Sequence, residues 1–279
     1  MKQLSFEPDL TNFAPTVAMT MGLEKQEHMS APVVELAEAL IENAGGTIEK
    51  ALFLHADAVP TYVVEKNEKI FAPVRNVTQL EVPFHAVMPS ITPVCFAAMF
   101  SGAYPSQNGV PQYCTPIISD EVVQPAISCG TIIDVLVQAG KKVAVVTCSN
   151  GCIASMLYGR GADLYIIPGD DDELMYQKAC EILQANMYDA IFLYQLSYDY
   201  TMHAHGPESK EALDALSVIT NRYEALVKMA QKVWKGHRMM TVFNSDHGSH
   251  LLPTGGGLHG DDIPEDMNMT YFWNAYYCE

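Results

Sequence analysis

The chain has 279 residues, of which 49% are hydrophobic and 18% are charged, so it is long and apolar enough to form a large folded core. Lysine and arginine number 16 against 33 aspartate and glutamate residues, which gives a formal charge of −17 at pH 7. This acidity, with no basic block, argues against a nucleic-acid-binding protein, because phosphate backbones are bound through lysine and arginine. A small phosphorylated substrate is not excluded if metal ions supply the positive charge.

In chain order, an N-terminal arm of weak periodicity, residues 1–29, precedes alternating helix and strand patterns. The first helix is predicted to begin at Ser30, its N-cap, with Pro32 in the first turn, and to end at the glycines after Asn43. The other predicted helices span about 94–100, 130–139, 171–187 and 207–235, and the predicted strands span 50–56, 141–147, 164–167, 190–194 and 239–243.

Strands that alternate with helices predict a doubly wound, mostly parallel sheet with helices on both faces. No linker or repeat divides the pattern, so we predict one α/β domain of residues 1–279. No segment has the roughly 18 consecutive apolar residues of a membrane span, and the first residues lack the features of a signal peptide.

The seven cysteines form no CxxC pair, and Cys148 and Cys152 have no nearby histidine or cysteine to complete a zinc site. They are typical of reduced thiols, so we predict a cytoplasmic protein. Because no segment is long and apolar enough to span a bilayer, we also predict that it does not bind membranes.

Acids and histidines follow three of the predicted strands at their carboxyl ends, where ligands bind in sheets of this kind. They are Asp57 after the first strand, Asp199 and His203 after strand 190–194, and Asp246 and His247 after strand 239–243. For Asp57 alone, ordinary turn chemistry is the simpler explanation. A buried acid beside an imidazole is costly unless both are paired or bind a metal, and this favours function for Asp246 and His247.

His259, in a glycine-rich segment, is a further candidate ligand, while His205 and His250 compete with His203 and His259 for their places. Three carboxylates and three imidazoles suit zinc, manganese or iron better than calcium. The set is about the size needed to hold two metal ions beside one phosphate group.

Thr92 is the candidate nucleophile, because it precedes Pro93 and is expected to be the N-cap of the helix that ends at Phe100. A hydroxyl at a helix N-terminus lies in a field that favours anions, and a metal ion could hold it as a nucleophilic alkoxide. Capping alone would also explain a Thr-Pro pair, and Ser90 is the alternative nucleophile.

These segments, in order from residue 51 to 260, resemble the motifs of the alkaline phosphatase superfamily. Within it they are similar to the branch of type I phosphodiesterases/nucleotide pyrophosphatases and phosphonoacetate hydrolases. Residues 89–110 resemble its nucleophile motif, and 199–207 resemble Asp-x-x-Gly-His-x-x-Gly-Pro with Met202 in place of the glycine. Ser245-Asp-His-Gly and Leu258-His-Gly resemble its last two elements, and Asp57 fits the acid after the first strand.

The resemblance selects His203 over His205 and His259 over His250, and it implies that Thr92 is the nucleophile. It also implies two metal ions, usually zinc. One would be held by Asp57, Thr92, Asp246 and His247, and the other by Asp199, His203 and His259.

Two departures from the branch bear on the substrate. A phosphate-binding asparagine of the relatives corresponds here to Tyr113, so Tyr113 or its neighbour Gln112 is expected to bind the substrate instead. Relatives commonly carry a long insertion between the last two motifs, where only eleven residues separate His247 from His259. The cap over the site is therefore expected to be missing or rebuilt from residues 58–88 and 111–128.

The sequence thus predicts a metal-dependent hydrolase of phosphate monoesters, phosphodiesters or phosphonates that acts on a small substrate. Its expected cofactors are two divalent ions, preferably zinc, with manganese as the alternative. A mutase-type phosphotransferase and a non-catalytic protein that binds a metal or phospho-ligand are the alternative functions. The Cys/Ser-x-Pro-x-Arg motif of sulfatases is absent from the sequence.

Overall fold

A seven-stranded sheet forms the centre of the protein in the computed structural model, which describes residues 4–112 and 127–279. The strands in chain order are β1 (Lys50–Ala56), β2 (Leu80–His85), β3 (Val143–Cys148), β4 (Asp163–Ile167), β5 (Ala190–Gln195), β6 (Arg238–Asn244), β7 (His250–Leu251), β8 (Gly257–Leu258) and β9 (Asn268–Tyr277). The order across the sheet is β2-β9-β6-β1-β5-β3-β4, and β7 pairs with β8 separately.

The five strands from β6 to β4 are parallel, whereas β9 is antiparallel to both of its neighbours, β6 and β2. Every residue of β1, β3 and β5 is buried, which requires cover on both faces of the sheet. These strands are the continuous apolar runs of the sequence, and the predicted doubly wound α/β fold is confirmed.

Helices cover the sheet in two groups. They are α1 (Phe13–Thr20), α2 (Val34–Ala44), α3 (Thr61–Lys66), α4 (Glu68–Arg75), α5 (Thr92–Ser101), α6 (Pro105–Asn108), α7 (Ile132–Gln138), α8 (Ile153–Leu157), α9 (Asp172–Ala185), α10 (Ser197–His205), α11 (Lys210–Val233) and α12 (Pro264–Met267). In one group α11 packs against α4, α9 and α10, and in the other α1 packs against α2, α5 and α7. Within the described ranges, no helix has the length and apolar character needed to cross a bilayer.

The predicted N-terminal arm contains a helix, α1, which the sequence pattern did not predict. Its Phe13 and Val17 side chains are fully buried in the core. The hydroxyl of Thr16 donates to the carbonyl of Asn12 and accepts the N–H of Val33 at 2.8 Å, so it joins α1 to the following segment.

Two predicted helix starts were wrong in detail. The helix predicted to follow Ser30 is α2, which begins at Val34, so Ser30 is not its N-cap. The N–H of Ser30 is bonded to the carbonyl of Gly102, and the N–H of Val33 is bonded to the Thr16 hydroxyl. Thr92 is the first residue of α5 and not its N-cap; that position belongs to Ile91, whose backbone is extended and whose carbonyl accepts the N–H of Val94.

Candidate active site

The candidate site lies at the carboxyl ends of β1, β5 and β6, which are neighbours at the centre of the sheet. Asp57 follows β1, Asp199 lies in the first turn of α10 just after β5, and Asp246 follows β6. Because β1 pairs with β5 on one side and β6 on the other, acids that are far apart in sequence meet at one edge.

Asp57, Asp246 and His247 form the inner group, in which one ligand atom from each residue lies within 4.8 Å of the others. The His247 Nε2 atom is 3.6 Å from Asp57 Oδ1 and 3.4 Å from Asp246 Oδ2. All three are buried. Burial and the charges of Asp246 and Asp199 raise the pKa of Asp57, while burial lowers the pKa of His247. This environment disfavours charge on both residues, so a cation between them would be stabilising.

Asp199, His203 and His259 form the outer group, which meets the same distance criterion. Asp199 and His203 are four residues apart on α10, with Asp199 Oδ1 3.2 Å from His203 Nε2 and 3.5 Å from His259 Nε2. Burial would raise the pKa of Asp199, but its bonds to the two imidazoles outweigh burial and lower it. The two groups adjoin each other, since the ring centres of His247 and His259 are 4.1 Å apart.

A backbone carbonyl orients each of the three imidazoles through its Nδ1 atom. The Nδ1 atoms of His203, His247 and His259 lie 3.0, 2.9 and 3.2 Å from the carbonyls of Gly257, Gly248 and Ser90. If Nδ1 carries the proton and donates it to the carbonyl, the Nε2 lone pair faces the carboxylates, which is the orientation of a metal ligand.

Gly257 allows β8 to approach α10 closely enough for the contact with His203. A Cβ atom at this position would lie 2.5 Å from the sulfur and 2.9 Å from the carbonyl oxygen of Met202. A side chain would therefore push the strand away from the helix.

Thr92 begins α5 with its hydroxyl directed at the inner group. Its Oγ1 atom lies 3.2 Å from His247 Nε2 and 3.5 Å from Asp57 Oδ1. Ser90, the alternative nucleophile, is buried and donates its hydroxyl to the carbonyl of Asp261 at 3.1 Å. The geometry therefore brings Thr92, and not the Ser90 hydroxyl, to the predicted ligands.

The competing histidines lie outside the two groups. His205 is exposed at the end of α10. The Nδ1 atom of His250 is 2.8 Å from Asp266 Oδ1, and together with Asp261 these residues form a third set that could hold an ion. The arrangement of His203 and His259 agrees with the choice implied by the family motifs.

Of the two expected substrate-binding residues, only Gln112 lies within the part of the chain that the structure describes. Gln112 is exposed and is not among the described residues that line the pocket. Tyr113 lies outside the described residues.

Tyr194, in β5, is a site residue that the sequence did not reveal. It is only 4% exposed, and its hydroxyl donates a hydrogen bond to Asp57 Oδ2. The other oxygen, Oδ1, is then left facing Thr92 and His247. In the sequence Tyr194 belongs to an apolar strand, and only the pairing of β5 with β1 places its hydroxyl beside Asp57.

The two groups open into a pocket of ≈ 240 Å³. Its lining residues are Asp57, Thr92, Pro93, Asn150, Gly151, Cys152, Tyr194, Leu196, Asp199, Tyr200, His203 and His259. None of these described residues comes from 58–88, because α4 packs against α11 and α3 against β9, so this segment does not cover the described pocket. Of the other segment considered for the cap, only residues 111, 112, 127 and 128 are described. A short β7–β8 hairpin connects His247 to His259.

Residues 71–275 match the sequence model of the type I phosphodiesterase/nucleotide pyrophosphatase family. The chain belongs to this family. The resemblance inferred from the motifs is therefore confirmed, and so is the predicted enzyme class, the phosphoric ester hydrolases. No curated protein matches the sequence at a significant level.

Solved structures share the fold of this family member at low sequence identity. Phosphonoacetate hydrolase from Sinorhizobium meliloti, in complex with phosphonoformate, has a TM-score of 0.56 and 15% identity over 72% of this chain. The present chain spans 56% of the length of that protein. Murine ectonucleotide pyrophosphatase/phosphodiesterase 5 has a TM-score of 0.60 and 14% identity, with 82% of this chain and 88% of the murine chain covered.

Proposed function

We propose that this family member is a metal-dependent hydrolase of phosphate esters or phosphonates, with Thr92 as the nucleophile and two divalent ions at the inner and outer groups. The observation that carries the proposal is the position of the Thr92 hydroxyl, 3.2 Å from His247 Nε2 and 3.5 Å from Asp57 Oδ1. A hydroxyl that only stabilised the helix N-terminus would not need to lie between an imidazole and a carboxylate at a pocket wall.

The residues present fit two metal ions. Asp246 Oδ2 is buried without a hydrogen-bond partner among the described residues, although an unpaired buried carboxylate oxygen is costly, and Asp199 Oδ1 faces the Nε2 atoms of His203 and His259. We infer that Asp57, Thr92, Asp246 and His247 hold one ion and that Asp199, His203 and His259 hold the other. The mixture of carboxylate and imidazole donors favours zinc, with manganese as the alternative.

Bound divalent ions would neutralise the charge on the non-bridging oxygens of the reacting phosphoryl group. The chain's own residues would perform the transfer. Thr92 Oγ1 attacks phosphorus in line: its bond to phosphorus forms, the bond to the leaving group breaks, and the proton of the Thr92 hydroxyl is passed to the leaving group. Water then attacks the same phosphorus and breaks its bond to Thr92; one proton of the water restores the Thr92 hydroxyl, and the phosphate or phosphonate product departs. Tyr194 holds Asp57 in place throughout through its bond to Oδ2.

Two proteins of similar fold support this assignment. One solved form of murine ectonucleotide pyrophosphatase/phosphodiesterase 5 is an inactive threonine-to-alanine variant in complex with AMP. The Sinorhizobium meliloti structures are a phosphonoacetate hydrolase bound to phosphonoformate and to phosphonoacetate. The proposed substrate is accordingly a small phosphate ester or phosphonate. The predicted cytoplasmic location stays a prediction; Cys95, Cys129, Cys148, Cys180 and Cys278 are free thiols.

The test is turnover of an aryl phosphomonoester, an aryl phosphodiester and a phosphonate by the zinc-loaded protein. Thr92→Ala should keep its fold and its ions but lose on the order of 10³-fold or more in kcat, as expected for removal of a nucleophile. Thr92→Ser should retain a measurable share of the activity. Ser90→Ala is the matched control, because it removes a hydroxyl that donates to the Asp261 carbonyl instead.

Elemental analysis after zinc loading and desalting should find about two ions per chain. Absence of bound metal, or a Thr92→Ala protein as active as the parent, would contradict the proposal. Stoichiometric zinc without turnover of any of the esters would favour the non-catalytic binding protein.

A further inference from the structure

The outer wall of the pocket is formed by the loop after β3 and by the first turns of α10. From the loop come Asn150, Gly151 and Cys152, and from α10 comes Tyr200. No lysine or arginine is among the described residues that line the pocket, and residues 113–126 contain neither in the sequence. The chain therefore offers no cationic side chain along the described wall.

An acid lies behind this wall. The Asn150 Nδ2 atom donates to Asp170 Oδ2 at 2.9 Å, and a bond from the N–H of Gly169 to the Ser149 hydroxyl joins the two loops. The other oxygen, Asp170 Oδ1, is buried without a hydrogen-bond partner among the described residues.

Tyr200 presents an aromatic surface to the pocket. The residue is 48% exposed although it lines the pocket, so part of its surface is available to a ligand. An aromatic face attracts an ammonium group, and more strongly when a carboxylate is close by.

The charges of the two ligand groups leave no surplus for a second anion. Three carboxylates, those of Asp57, Asp199 and Asp246, would offset three of the four positive charges on two divalent ions. The reacting group itself offsets the fourth, since a phosphodiester carries one negative charge and a monoester or phosphonate carries up to two. A second anion on the substrate would then face the field of Asp170 with no compensating cation.

The volume of the described pocket limits the size of the group that it can enclose beyond phosphorus. At ≈ 240 Å³ it is smaller than the roughly 300–1,000 Å³ of common ligand pockets, and the ions and the reacting group must share it. Space remains for a substituent of only a few atoms.

From these features we infer that the group beyond phosphorus in the substrate is small and either uncharged or amine-bearing, and that Asp170 with Tyr200 selects against a second anion. This inference rests on the proposed function, because it assumes that a phosphoryl or phosphonyl group lies at the two ligand groups. Asp170 acts on the substrate as a specificity residue and takes no part in the transfer.

The experiment measures binding of three small phosphonates to the zinc-loaded Thr92→Ala protein by calorimetry, so that turnover does not interfere. The probes are 2-aminoethylphosphonate, propylphosphonate and phosphonoacetate, which carry a positive, a neutral and a negative end. We expect phosphonoacetate to bind at least about tenfold more weakly than 2-aminoethylphosphonate, with propylphosphonate between them.

Asp170→Asn in the same background should remove most of the preference for the amine. Asp171→Asn is the matched control: it removes the same charge one residue away, where the Asp171 side chain caps α9 by accepting the N–H of Leu174, and asparagine caps equally well. The control should keep the preference. Thermal unfolding of both variants verifies that they are folded.

Three outcomes overturn the inference. Equal binding of all three probes, or tightest binding of phosphonoacetate, would refute the selection against anions while leaving the proposed function intact. An unchanged preference in Asp170→Asn would refute the role of Asp170. Absence of binding by any probe would overturn the inference together with the proposed function on which it rests.

Discussion

Buried charges are compensated differently at the two ends of the central strands. At the amino ends, Lys50 lies 3.0 Å from Asp189, and its ammonium also donates to the carbonyl of Tyr188. At the carboxyl ends, Asp57 and Asp246 are buried together, with no lysine or arginine paired to either carboxylate among the residues described. The charges at the amino ends are neutralised by residues of the chain itself. The negative charge at the carboxyl ends is neutralised only if a cation binds there. Uncompensated buried acids cost stability, so their retention marks the functional end of the sheet.

Asp246→Asn is the strongest test of this difference between the two ends of the sheet. Zinc stoichiometry should fall from about two ions per chain to about one, because the inner group loses a ligand. The metal-free variant should nevertheless be more stable than the metal-free parent by about 1 kcal/mol, since burial and the Asp246 charge raise the pKa of Asp57. Elemental analysis and urea unfolding of the chelated proteins measure the two effects. A metal-free variant that is less stable than the parent would show that the acids do not repel each other.

Tyr194→Phe tests how the carboxyl end is held in position. Removal of the hydroxyl frees Asp57 Oδ2, and loss of such a supporting bond typically costs about 10–100-fold in metal affinity. Competition with a zinc chelator measures this affinity. Tyr198→Phe is the control, since it also removes a buried hydroxyl, one that donates to the Pro207 carbonyl at 3.1 Å. Equal zinc affinities in the two variants would mean that Tyr194 only packs.

Asp189→Asn tests the opposite end. The variant should lose about 1–2 kcal/mol of stability without any change in zinc content, because the buried Lys50 ammonium loses its carboxylate. The exposed pair of Lys210 with Asp214 supplies the control: Asp214→Asn should cost less than about 0.5 kcal/mol. Similar losses in the two variants would show that the buried pair contributes no more than a surface one.

The smallest expected effect is in the acid range. Burial alone would raise the pKa of Asp189, but the N–H of Lys142 and the Lys50 ammonium outweigh it and lower the pKa. The contribution of Asp189 is therefore complete above the unfolded pKa of about 3.9 and is lost as the pH falls through the lower folded value. The stability difference between parent and Asp189→Asn, measured on chelated protein, should shrink between pH 6 and pH 3, roughly the range set by that pKa. A difference that grew on acidification would have the wrong sign.

The parallel part of the sheet could be predicted from the sequence because strands buried on both faces are continuous apolar runs, as in β1, β3 and β5. The antiparallel edge could not. Strand β2 contains Pro83 and alternates between buried and exposed residues, and β9 follows a loop-like segment at the end of the chain. Their pairing with each other depends on a contact between residues almost 200 positions apart, such as Leu80 with Trp273, which periodicity does not report.

The convergence of the three acids and three histidines could be predicted because the strand ends meet at one edge of the sheet and because the motifs selected His203 and His259 over their neighbours. The residues that support these groups could not be predicted, because their contacts depend on strand register and on the conformation of loops. Tyr194 looks like any core tyrosine until β5 is placed beside β1. Asp170 is the first of four consecutive acids in the sequence, and the bond from Asn150 is what places it beside the pocket wall.

The position of β1 between β5 and β6 also sets the order of events in folding. Its two partners begin about 140 and 190 residues later in the chain, and His259, the last residue of the outer group, comes later still. The loops that must close are long, so the site assembles only after most of the chain has been synthesised and has folded. A partly made chain has strands but no complete pair of ligand groups. Zinc bound at both groups would therefore indicate that folding is complete. It would slow the unfolding of the fully folded protein only.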